Sequence, residues 1–478
     1  MSLFRHNARS TRHNGDTAER GFFSFFPLRA TKSPQQADRL LPPDEPIEEE
    51  TCPGYNSRDY FPVNPGDIFD GRYQVITKIG WGGSSTVWLA RDVTKRRCIW
   101  QSSSKERFVT LKINNSRTKS TSGIGLTNEA AHERDIEKYI AKKNPSNPGL
   151  EFIRTHIDSF DVKGGPQGNG NGNRHLCLVY EPMREPVWLL RQRTPEGKFS
   201  LSFVKDFLYL LLMGIDYLHS ECRVVHTDLK LENILIAFED PTVIKDFVRR
   251  QAKTPMQRKR PDASGRTVYL SQNNFGPLKA TNIHPKITDF GQADRIAPGA
   301  FGISPIQPDH YRAPEVILGC GWTYSADIWN LGLLMWNLLE GQDLFRQVHD
   351  DQGCYHPKAH LAEMIALLGP PPRELLDESK AVARWKWLQP IKNEDGKVCC
   401  NLQEYYGGPF FDKKGRFKHK ELIPARKLED TLPSLTGGER NAVLTFARKM
   451  LQWLPEERRT AGELLEDPFF HPRNINTS

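Results

Sequence analysis

The amino-acid sequence predicts an α+β fold of two lobes, in which a small strand-rich lobe precedes a larger helical lobe. Apolar and polar residues alternate over 71–79 and 86–92, on either side of a glycine-rich turn, which is the pattern of a β-hairpin. Beyond residue 200 apolar residues recur with helical spacing, most clearly over 202–220, 326–339 and 439–451. The predicted units are therefore a disordered tail of basic and acidic residues (1–51), a small lobe (52–180) and a large lobe (181–472).

Further elements follow in chain order. Residues 108–113 and 175–180 are apolar stretches of strand length, and 129–141 have the spacing of a helix. The segment 181–185 is predicted to be the hinge between the lobes. Residues 237–284 are polar, partly basic and poorly periodic, so we expect an insertion into the large lobe that forms a solvated loop. A localisation or docking segment is the alternative interpretation.

Composition and charge limit the possible functions. The chain has 66 basic and 58 acidic residues, and a net charge of +8 is moderate for 478 residues. It favours a slightly basic surface, and direct binding of nucleic acid is not expected. The most apolar run, 207–218, contains Gly214 and Asp216 and is shorter than the roughly 20 residues that cross a bilayer, so no membrane segment is predicted.

Cysteine usage and the first residues bear on the compartment. The 8 cysteines form no CxxC pair, which favours a reducing environment, the cytoplasm or the nucleus. The first 40 residues are rich in arginine, a composition that mitochondrial transit peptides share. Asp16, Glu19 and the turn-forming pair Asn14 and Gly15 instead favour a disordered tail over an import signal.

A glycine-rich segment between two predicted strands is the first of four signals for chemistry. Glycines in a hairpin let backbone N–H groups approach phosphates, although such a segment on its own is most often an ordinary turn. The segment comprises Ile79, Gly80, Trp81, Gly82, Gly83, Ser84, Ser85, Thr86 and Val87.

The second signal is Lys112, which ends the predicted strand segment Val109, Thr110 and Leu111. A lysine in an apolar strand is costly to bury without a partner. The arrangement resembles that of protein kinases, which implies that Lys112 binds phosphates and pairs with a glutamate of the following helix. Glu133 is the predicted partner because Ile136 and Ile140 would then face the core. Glu129 and Glu137 stay open because the helical register is uncertain, and a plain surface Lys–Glu pair is the alternative.

The strongest signal is the segment 225–233, Val-His-Thr-Asp-Leu-Lys-Leu-Glu-Asn. It is similar to the catalytic loop of protein kinases, H-R-D-x-K-x-x-N. The resemblance implies that Asp228 accepts or orients the proton of a substrate hydroxyl and that Lys230 neutralises charge on the transferred phosphoryl group. It also implies that Asn233 holds a magnesium ion, while Lys112 binds the phosphates of ATP.

The fourth signal, Lys-Ile-Thr-Asp-Phe-Gly at 286–291, matches the kinase element whose aspartate, here Asp289, binds magnesium. Oxygen ligands of this kind are those that Mg²⁺ prefers. Two further matches are structural: Asp327 opens the predicted scaffold helix, and Arg458 occupies the position of the arginine that pairs with the glutamate of Ala-Pro-Glu, here Glu315. Four signals in one chain order predict an intact kinase that uses ATP and Mg²⁺.

Over 52–472 the sequence resembles one kinase family in particular, the SR-protein kinases of the CMGC group and especially their fungal members. Residues 80–88 are similar to that family's GWGxxSTVW segment, 226–228 to its His-Thr-Asp, and 449–453 to its Lys-Met-Leu-Gln-Trp. Two features depart from it. The family often has Asp-Leu-Gly where this chain has Asp-Phe-Gly, and its better-known members have a far longer insertion than 237–284.

This resemblance implies transfer of the γ-phosphoryl group to serine, with threonine as a secondary acceptor, in Arg/Ser-rich proteins. A monomer is expected. Tyr180 would be the gatekeeper of a hinge at which the backbone of Glu181 and Met183 meets adenine. The family implies docking on an acidic groove of the large lobe, for which the candidate residues are Glu363, Glu374, Asp377 and Glu378. A Clk-like or dual-specificity kinase with another substrate and a pseudokinase scaffold remain the alternatives.

Regulation is predicted from Thr227. Kinases that are switched by phosphorylation of the activation segment use an arginine at this position to bind the phosphate, which a threonine cannot do. Between Asp289 and Glu315 the only hydroxyl side chains are Ser304 and Tyr311. We therefore expect activity without phosphorylation of this segment.

Overall fold

The computed structural model describes residues 40–93, 106–116, 129–163, 174–254, 256–279 and 284–470, so most of the predicted tail lies outside it. The small lobe contains one antiparallel sheet with the strand order β1-β2-β3-β4-β6-β5. Its strands are β1 (Ile68–Phe69), β2 (Tyr73–Gly82), β3 (Ser85–Asp92), β4 (Phe108–Asn114), β5 (Asp158–Lys163) and β6 (Arg174–Tyr180). Helix α1 (Glu129–Lys143) packs on β6. This is the predicted strand-rich lobe.

The predicted hairpin is formed by β2 and β3, with Gly82 opposite Ser85 and the turn at Gly83 and Ser84. Two irregularities interrupt the pairing, between Val75 and Thr77 and between Lys78 and Gly80. Such bulges bend a strand and increase its twist.

The large lobe is mainly helical, as predicted. Its helices, together with α4 from the insertion, are α2 (Val187–Gln192), α3 (Leu201–Asp216), α4 (Pro241–Lys253), α5 (Pro314–Leu318), α6 (Ser325–Leu339), α7 (Pro357–Leu368), α8 (Arg373–Val382), α9 (Leu402–Tyr405), α10 (Gly437–Ala447) and α11 (Ala461–Leu465). Every residue of α6 after Ser325 is buried, as expected of a helix that is apolar on all sides. Helices α3 and α6 contact each other and contribute to the core of this lobe.

Short strands pair the segments that carry the predicted motifs. They are β7 (Val224–Val225), β8 (Ile234–Ile236), β9 (Pro285–Ile287), β10 (Asp294–Arg295), β11 (Ile391–Lys392) and β12 (Val398–Cys399). Strand β7 pairs with β10, β8 with β9 and β11 with β12. The first two pairs flank the catalytic-loop motif and hold it beside the Asp-Phe-Gly motif. In the part of the chain described, no helix combines the length and apolar character needed to cross a bilayer.

The packed structure begins before the predicted boundary at residue 51, which is therefore wrong. Glu48–Thr51 form a 3-10 helix, and Glu49 is fully buried beside Lys78 and Arg266. An acidic cluster is ordinarily a solvated segment. Its burial here depends on cationic partners that lie far away in the sequence.

The prediction of a solvated loop for the insertion 237–284 is also wrong. Helix α4 buries Val243, Ile244, Phe247 and Val248 in one cluster with Leu89 and Phe108 of the small-lobe sheet. Further along the insertion, Met256 and Tyr269 join a second core cluster of the same lobe. The four apolar residues of α4 have the spacing of one helical face. The prediction missed this signal because it considered the composition of the whole segment, which is polar on average.

Candidate active site

The cleft between the lobes brings together Lys112 from β4, Glu133 from α1 and Asp289, which follows β9. The Nζ atom of Lys112 donates to Oε1 of Glu133 at 2.6 Å and to Oδ1 of Asp289 at 3.0 Å. The predicted pairing of Lys112 with Glu133 is thereby confirmed. The other two candidates have different partners: Glu129 accepts from Gln292 and Glu137 accepts from the hydroxyl of Tyr180.

The charges of these three groups are mutually dependent. Burial alone would lower the pKa of Lys112, but the carboxylates of Asp289 and Glu133 raise it above the ordinary lysine value. The charge of Lys112 lowers the pKa of Asp289, whereas burial raises the pKa of Glu133. Asp289 is therefore ionised at neutral pH, which a carboxylate ligand of Mg²⁺ must be.

The catalytic-loop motif lies next to this triad. Asp228 accepts hydrogen bonds at its Oδ2 atom from Nδ2 of Asn233 at 2.7 Å, and Lys230 Nζ lies 2.9 Å from the same oxygen. Because the amide nitrogen of Asn233 faces Asp228, the amide oxygen of Asn233 points away from Asp228. The backbone N–H of Thr288 donates to the carbonyl of Asn233 at 3.0 Å, which ties this loop to the residue before Asp289.

A buried aspartate of helix α6 accepts hydrogen bonds from the backbone of the catalytic loop. Asp327 accepts the backbone N–H groups of His226 at 2.7 Å and of Thr227 at 2.9 Å, and Asn330 donates to the carbonyl of Leu229 at 3.0 Å. Thr227 has a φ of 67°, a conformation that non-glycine residues rarely adopt. Such conformations persist where surrounding bonds enforce them, as the two bonds to Asp327 do here.

The glycine-rich turn leaves open space. A Cβ atom at Gly80 would come no closer than 3.7 Å to another protein atom, and at Gly82 and Gly83 the nearest atom would be 3.9 Å away. None of the three has a positive φ. Since neither the packing nor the backbone of this chain requires glycine here, the space fits a ligand that approaches the backbone, as phosphate does.

The side chains around that turn differ in their surroundings. Ser84 lines a small cavity with Lys112 and Asp289, and Trp81 is 40% exposed. Thr86 is buried and accepts from the indole N–H of Trp88, so its hydroxyl supports the strand. The remaining predicted residues are arranged as follows: Ile79 packs with the α4 cluster, Ser85 is buried and Val87 is partly buried.

The hinge is contacted by one residue that the sequence did not suggest. Arg154 donates through Nη2 to the backbone carbonyl of Glu181 at 2.8 Å, and its guanidinium lies 4.5 Å from the ring centre of Tyr180. Met183 is buried at the same hinge. Arg154 belongs to no motif, and a lone arginine before a strand carries no signal that could have identified it.

Residues 73–470 match the family model described as the protein kinase domain. This chain belongs to the protein kinase family. A serine/threonine protein kinase of Aspergillus fumigatus is 33% identical to it over 434 residues, which cover 88% of this chain and 90% of the relative. The chain is accordingly a serine/threonine protein kinase, an enzyme type that uses ATP and a divalent metal.

Other relatives support the predicted resemblance to SR-protein kinases. The serine/threonine-protein kinase SRPK of Physarum polycephalum is 28% identical over 447 residues, covering 88% of this chain and 91% of the relative. SRSF protein kinase 3 of Homo sapiens is 35% identical over 225 residues, or 47% of this chain and 34% of the relative. The crystal structure of a kinase domain shares the fold, with a TM-score of 0.57, 22% identity, and coverage of 87% of this chain and 100% of that one.

The activation segment of this kinase, residues 289–315, is held by hydrogen bonds, by a cation–π contact and by ion pairs. The hydroxyl of Thr227 donates to the carbonyl of Gln292 at 2.8 Å, and the guanidinium of Arg295 lies 4.0 Å from the ring centre of Tyr139 on α1. At the end of the segment, both nitrogens of the Arg458 fork bind Glu315 at 2.7 Å, with both side chains fully buried. The predicted pair of Arg458 and Glu315 is thus confirmed.

Two clefts of the kinase open beside the catalytic loop. One, of about 430 Å³, is lined by Lys230, Glu232, Asp309 and Asp343, and the other, of about 260 Å³, is lined by Asp228, Lys230 and Gln292 among others. Glu232 makes no hydrogen bond or ion pair with the residues that the structure describes. It was not singled out in the sequence, although it directly precedes Asn233 of the motif.

One of the four candidate docking acids is excluded. Glu363 is fully buried in α7 and pairs with Arg426, so it cannot receive a substrate. Asp377 is half exposed but already bonded to Arg373 and Lys380. The sequence alone could not exclude Glu363, because its burial follows from a partner 63 residues away.

Proposed function

We propose that this serine/threonine kinase transfers the γ-phosphoryl group of Mg-ATP to serine, and secondarily to threonine, in Arg/Ser-rich proteins. The observation that carries the proposal is the convergence of two clusters in one cleft. Lys112, Glu133 and Asp289 form the first, and Asp228 with Asn233 belongs to the second. A pseudokinase scaffold would have no need for all of these groups.

Each residue has a role in this proposal. Asp228 is held by Lys230 and Asn233 with its side chain 20% exposed, so it can accept the proton of a substrate hydroxyl, and Lys230 offsets negative charge near that oxygen. Lys112 orients the phosphates, and Asp289 with the amide oxygen of Asn233 binds magnesium. When bound, Mg-ATP supplies the phosphoryl group and the charge that neutralises the leaving phosphate.

Two further side chains and the hinge complete the nucleotide site. Glu133 keeps Lys112 in place from α1, at 2.6 Å. The glycine-rich segment from Ile79 to Val87 covers the phosphates, because its glycines leave room for them. Adenine meets the backbone of Glu181 and Met183. For magnesium the fit is chemical: Asp289 offers an ionised oxygen, and no group of three or more His, Cys, Asp or Glu side chains among the described residues forms a competing metal site.

Preference for arginine next to the phosphorylated serine is supported by the larger cleft. It begins at Lys230 of the catalytic loop and exposes the carboxylates of Glu232, Asp309 and Asp343. Asp309 is already shared between Arg312 and His349, whereas Glu232 is unpaired among the described residues. An arginine side chain of a bound peptide can pair with Glu232. The relatives named SRPK and SRSF protein kinase 3 agree with such a substrate.

The test uses purified full-length protein, Mg-ATP and two substrates, an Arg-Ser repeat peptide and a myelin-basic-type general substrate. We expect strong preference for the Arg-Ser peptide. Transfer to the general substrate alone would favour a Clk-like or dual-specificity kinase and contradict the Arg/Ser proposal. Transfer to neither would favour the scaffold.

A substitution sharpens this test. Glu232→Gln should raise the KM for the Arg-Ser peptide by at least about tenfold, because a hydrogen bond to a charged group contributes about 1.5–3 kcal/mol. The KM for ATP should not change. Glu151→Gln, at an exposed glutamate that is not among the residues lining this cleft, is the matched control. An equal loss with an Arg-free peptide would show that Glu232 does not recognise arginine.

We propose that the kinase acts as a monomer in the cytoplasm or nucleus, which agrees with its cysteine usage. A fluorescent fusion with and without residues 1–40 tests the location, and mitochondrial signal that depends on those residues would contradict it. Sedimentation of the purified protein tests the monomer.

A further inference from the structure

Two segments outside the motifs cover the outer side of the glycine-rich hairpin. We call residues 40–60 the lead-in segment and residues 256–272, which belong to the insertion, the spacer segment. They are joined to each other by a parallel bridge between Leu40 and Arg258 and by the pairing of Lys259 with Glu50 at 2.7 Å. The two segments therefore form one layer on the small lobe.

The lead-in segment contacts the turn of the hairpin through Tyr60. Its hydroxyl donates to the carbonyl of Gly83 at 2.9 Å and approaches the carbonyl of Gly82 at 3.5 Å. Tyr60 is only 4% exposed. The carbonyl of Gly83 also accepts from Nδ2 of Asn115 at 3.2 Å. The hydrogen bonds from Tyr60 and Asn115 both end on the backbone of Gly83, and they therefore restrict the motion of the turn.

The spacer segment determines the position of Tyr60. The guanidinium of Arg266 lies 5.0 Å from the ring centre of Tyr60, and Arg266 also donates to the hydroxyl of Tyr55 at 2.7 Å. Arg266 is 4% exposed and pairs with the buried carboxylate of Glu49. The rings of Tyr55 and Tyr60 are 5.5 Å apart. Tyr60 is thus held in a cluster that the spacer completes.

The same layer holds the strand that leads into the turn. The backbone of Lys78 on β2 donates to Sδ of Met256 at 3.2 Å and accepts from the N–H of Gln272 at 2.8 Å, both spacer residues. The side chain of Lys78 is 1% exposed and pairs with Glu48 and Glu49 of the lead-in segment. Hence the strand before the turn and the turn itself are both fixed by this layer.

We propose that Tyr60 is a positioning residue for ATP, and that the spacer segment acts on the nucleotide site through it. Glycines lose more conformational freedom than other residues when they become ordered. The hydroxyl of Tyr60 fixes the backbone at Gly82 and Gly83 before ATP binds. The turn therefore loses less conformational entropy on binding, and binding becomes more favourable. This inference rests on the proposed role of the glycine-rich segment as the phosphate site.

The experiment measures the dissociation constant of Mg-ATP by calorimetry with full-length Tyr60→Phe. We expect binding to weaken by about threefold to tenfold, the effect of one hydrogen bond, with the KM for the Arg-Ser peptide unchanged. Tyr73→Phe is the matched control. It removes the hydrogen bond of another buried tyrosine of this lobe, to Asp158 at 2.8 Å, and should lower the thermal midpoint without changing the affinity for Mg-ATP.

The outcomes separate this inference from the proposed function. Equal affinity of Tyr60→Phe and wild type, or equal weakening in Tyr60→Phe and Tyr73→Phe, overturns the positioning role even if the wild type phosphorylates peptides. Selective weakening in Tyr60→Phe upholds that role, also if the wild type binds Mg-ATP without transferring phosphate, in which case only the proposed phosphotransfer fails.

Discussion

The two halves of the active site are held in different ways. In the large lobe the catalytic loop is bound from within, since Asp327 of the buried helix α6 accepts the backbone N–H groups of His226 and Thr227. In the small lobe the glycine-rich turn is bound from outside by Tyr60, whose ring packs against the spacer residue Arg266. The catalytic half thus depends on the core of its own lobe, whereas the nucleotide half depends on a layer added to it.

This difference extends to the buried ion pairs. Glu315 has Arg458 as its ion-pair partner, with two bonds of 2.7 Å and no exposure of either side chain. Glu49 is shared between Lys78 and Arg266. A carboxylate with two cationic partners keeps one when the other is removed. The layer on the small lobe should therefore tolerate a substitution that the large lobe does not.

The largest expected effect is in the catalytic half. Asp228→Ala should lower kcat by at least about 10²–10⁴-fold, because it removes the proposed general base, while the thermal midpoint stays close to that of wild type. Asp294→Ala, an exposed aspartate of the activation segment, is the control and should retain activity. Peptide phosphorylation by Asp228→Ala at a rate near that of wild type would contradict the assignment.

A pair of substitutions tests the comparison itself. Arg458→Met should lower the free energy of unfolding by about 3–5 kcal/mol, because it leaves Glu315 buried without its cation. Arg266→Met should cost less, about 1–3 kcal/mol, because Glu49 keeps Lys78. Urea unfolding of both proteins measures the difference. If Arg266→Met lowers the free energy of unfolding as much as Arg458→Met does, or more, the layer contributes as much to stability as the core of the large lobe.

The smallest expected effect concerns phosphorylation. Phosphatase treatment of the purified kinase should leave its activity unchanged, because Thr227 holds the activation segment through the carbonyl of Gln292 and no phosphate is required. Of the two hydroxyl residues in this segment, Tyr311 is buried and donates to Asn337 at 2.6 Å. The other hydroxyl residue is Ser304, and the Ser304→Ala variant, which cannot be phosphorylated at this position, should be as active as wild type. Loss of activity after phosphatase treatment would refute this expectation.

Much of the active site could be predicted from sequence, because its residues lie in short motifs whose spacing determines their geometry. Lys112 and Asp289 were expected in one site, and α1 had to supply a glutamate. The choice among Glu129, Glu133 and Glu137 needed the structure, because residues four apart lie on one helical face and a small rotation exchanges them. Arg154 and Tyr60 belong to no motif, so no pattern indicated them.

The sequence by itself determined the family, the two lobes and the groups that meet at Asp228, since these follow from periodicity and from motifs of a few residues. Only the tertiary structure decided that residues 40–51 and the spacer segment pack on the small lobe. Their contacts join Glu49 to Arg266, which are 217 positions apart. Charged residues are assigned to the surface unless their partners are known, and burial becomes favourable only when the opposite charge is in place.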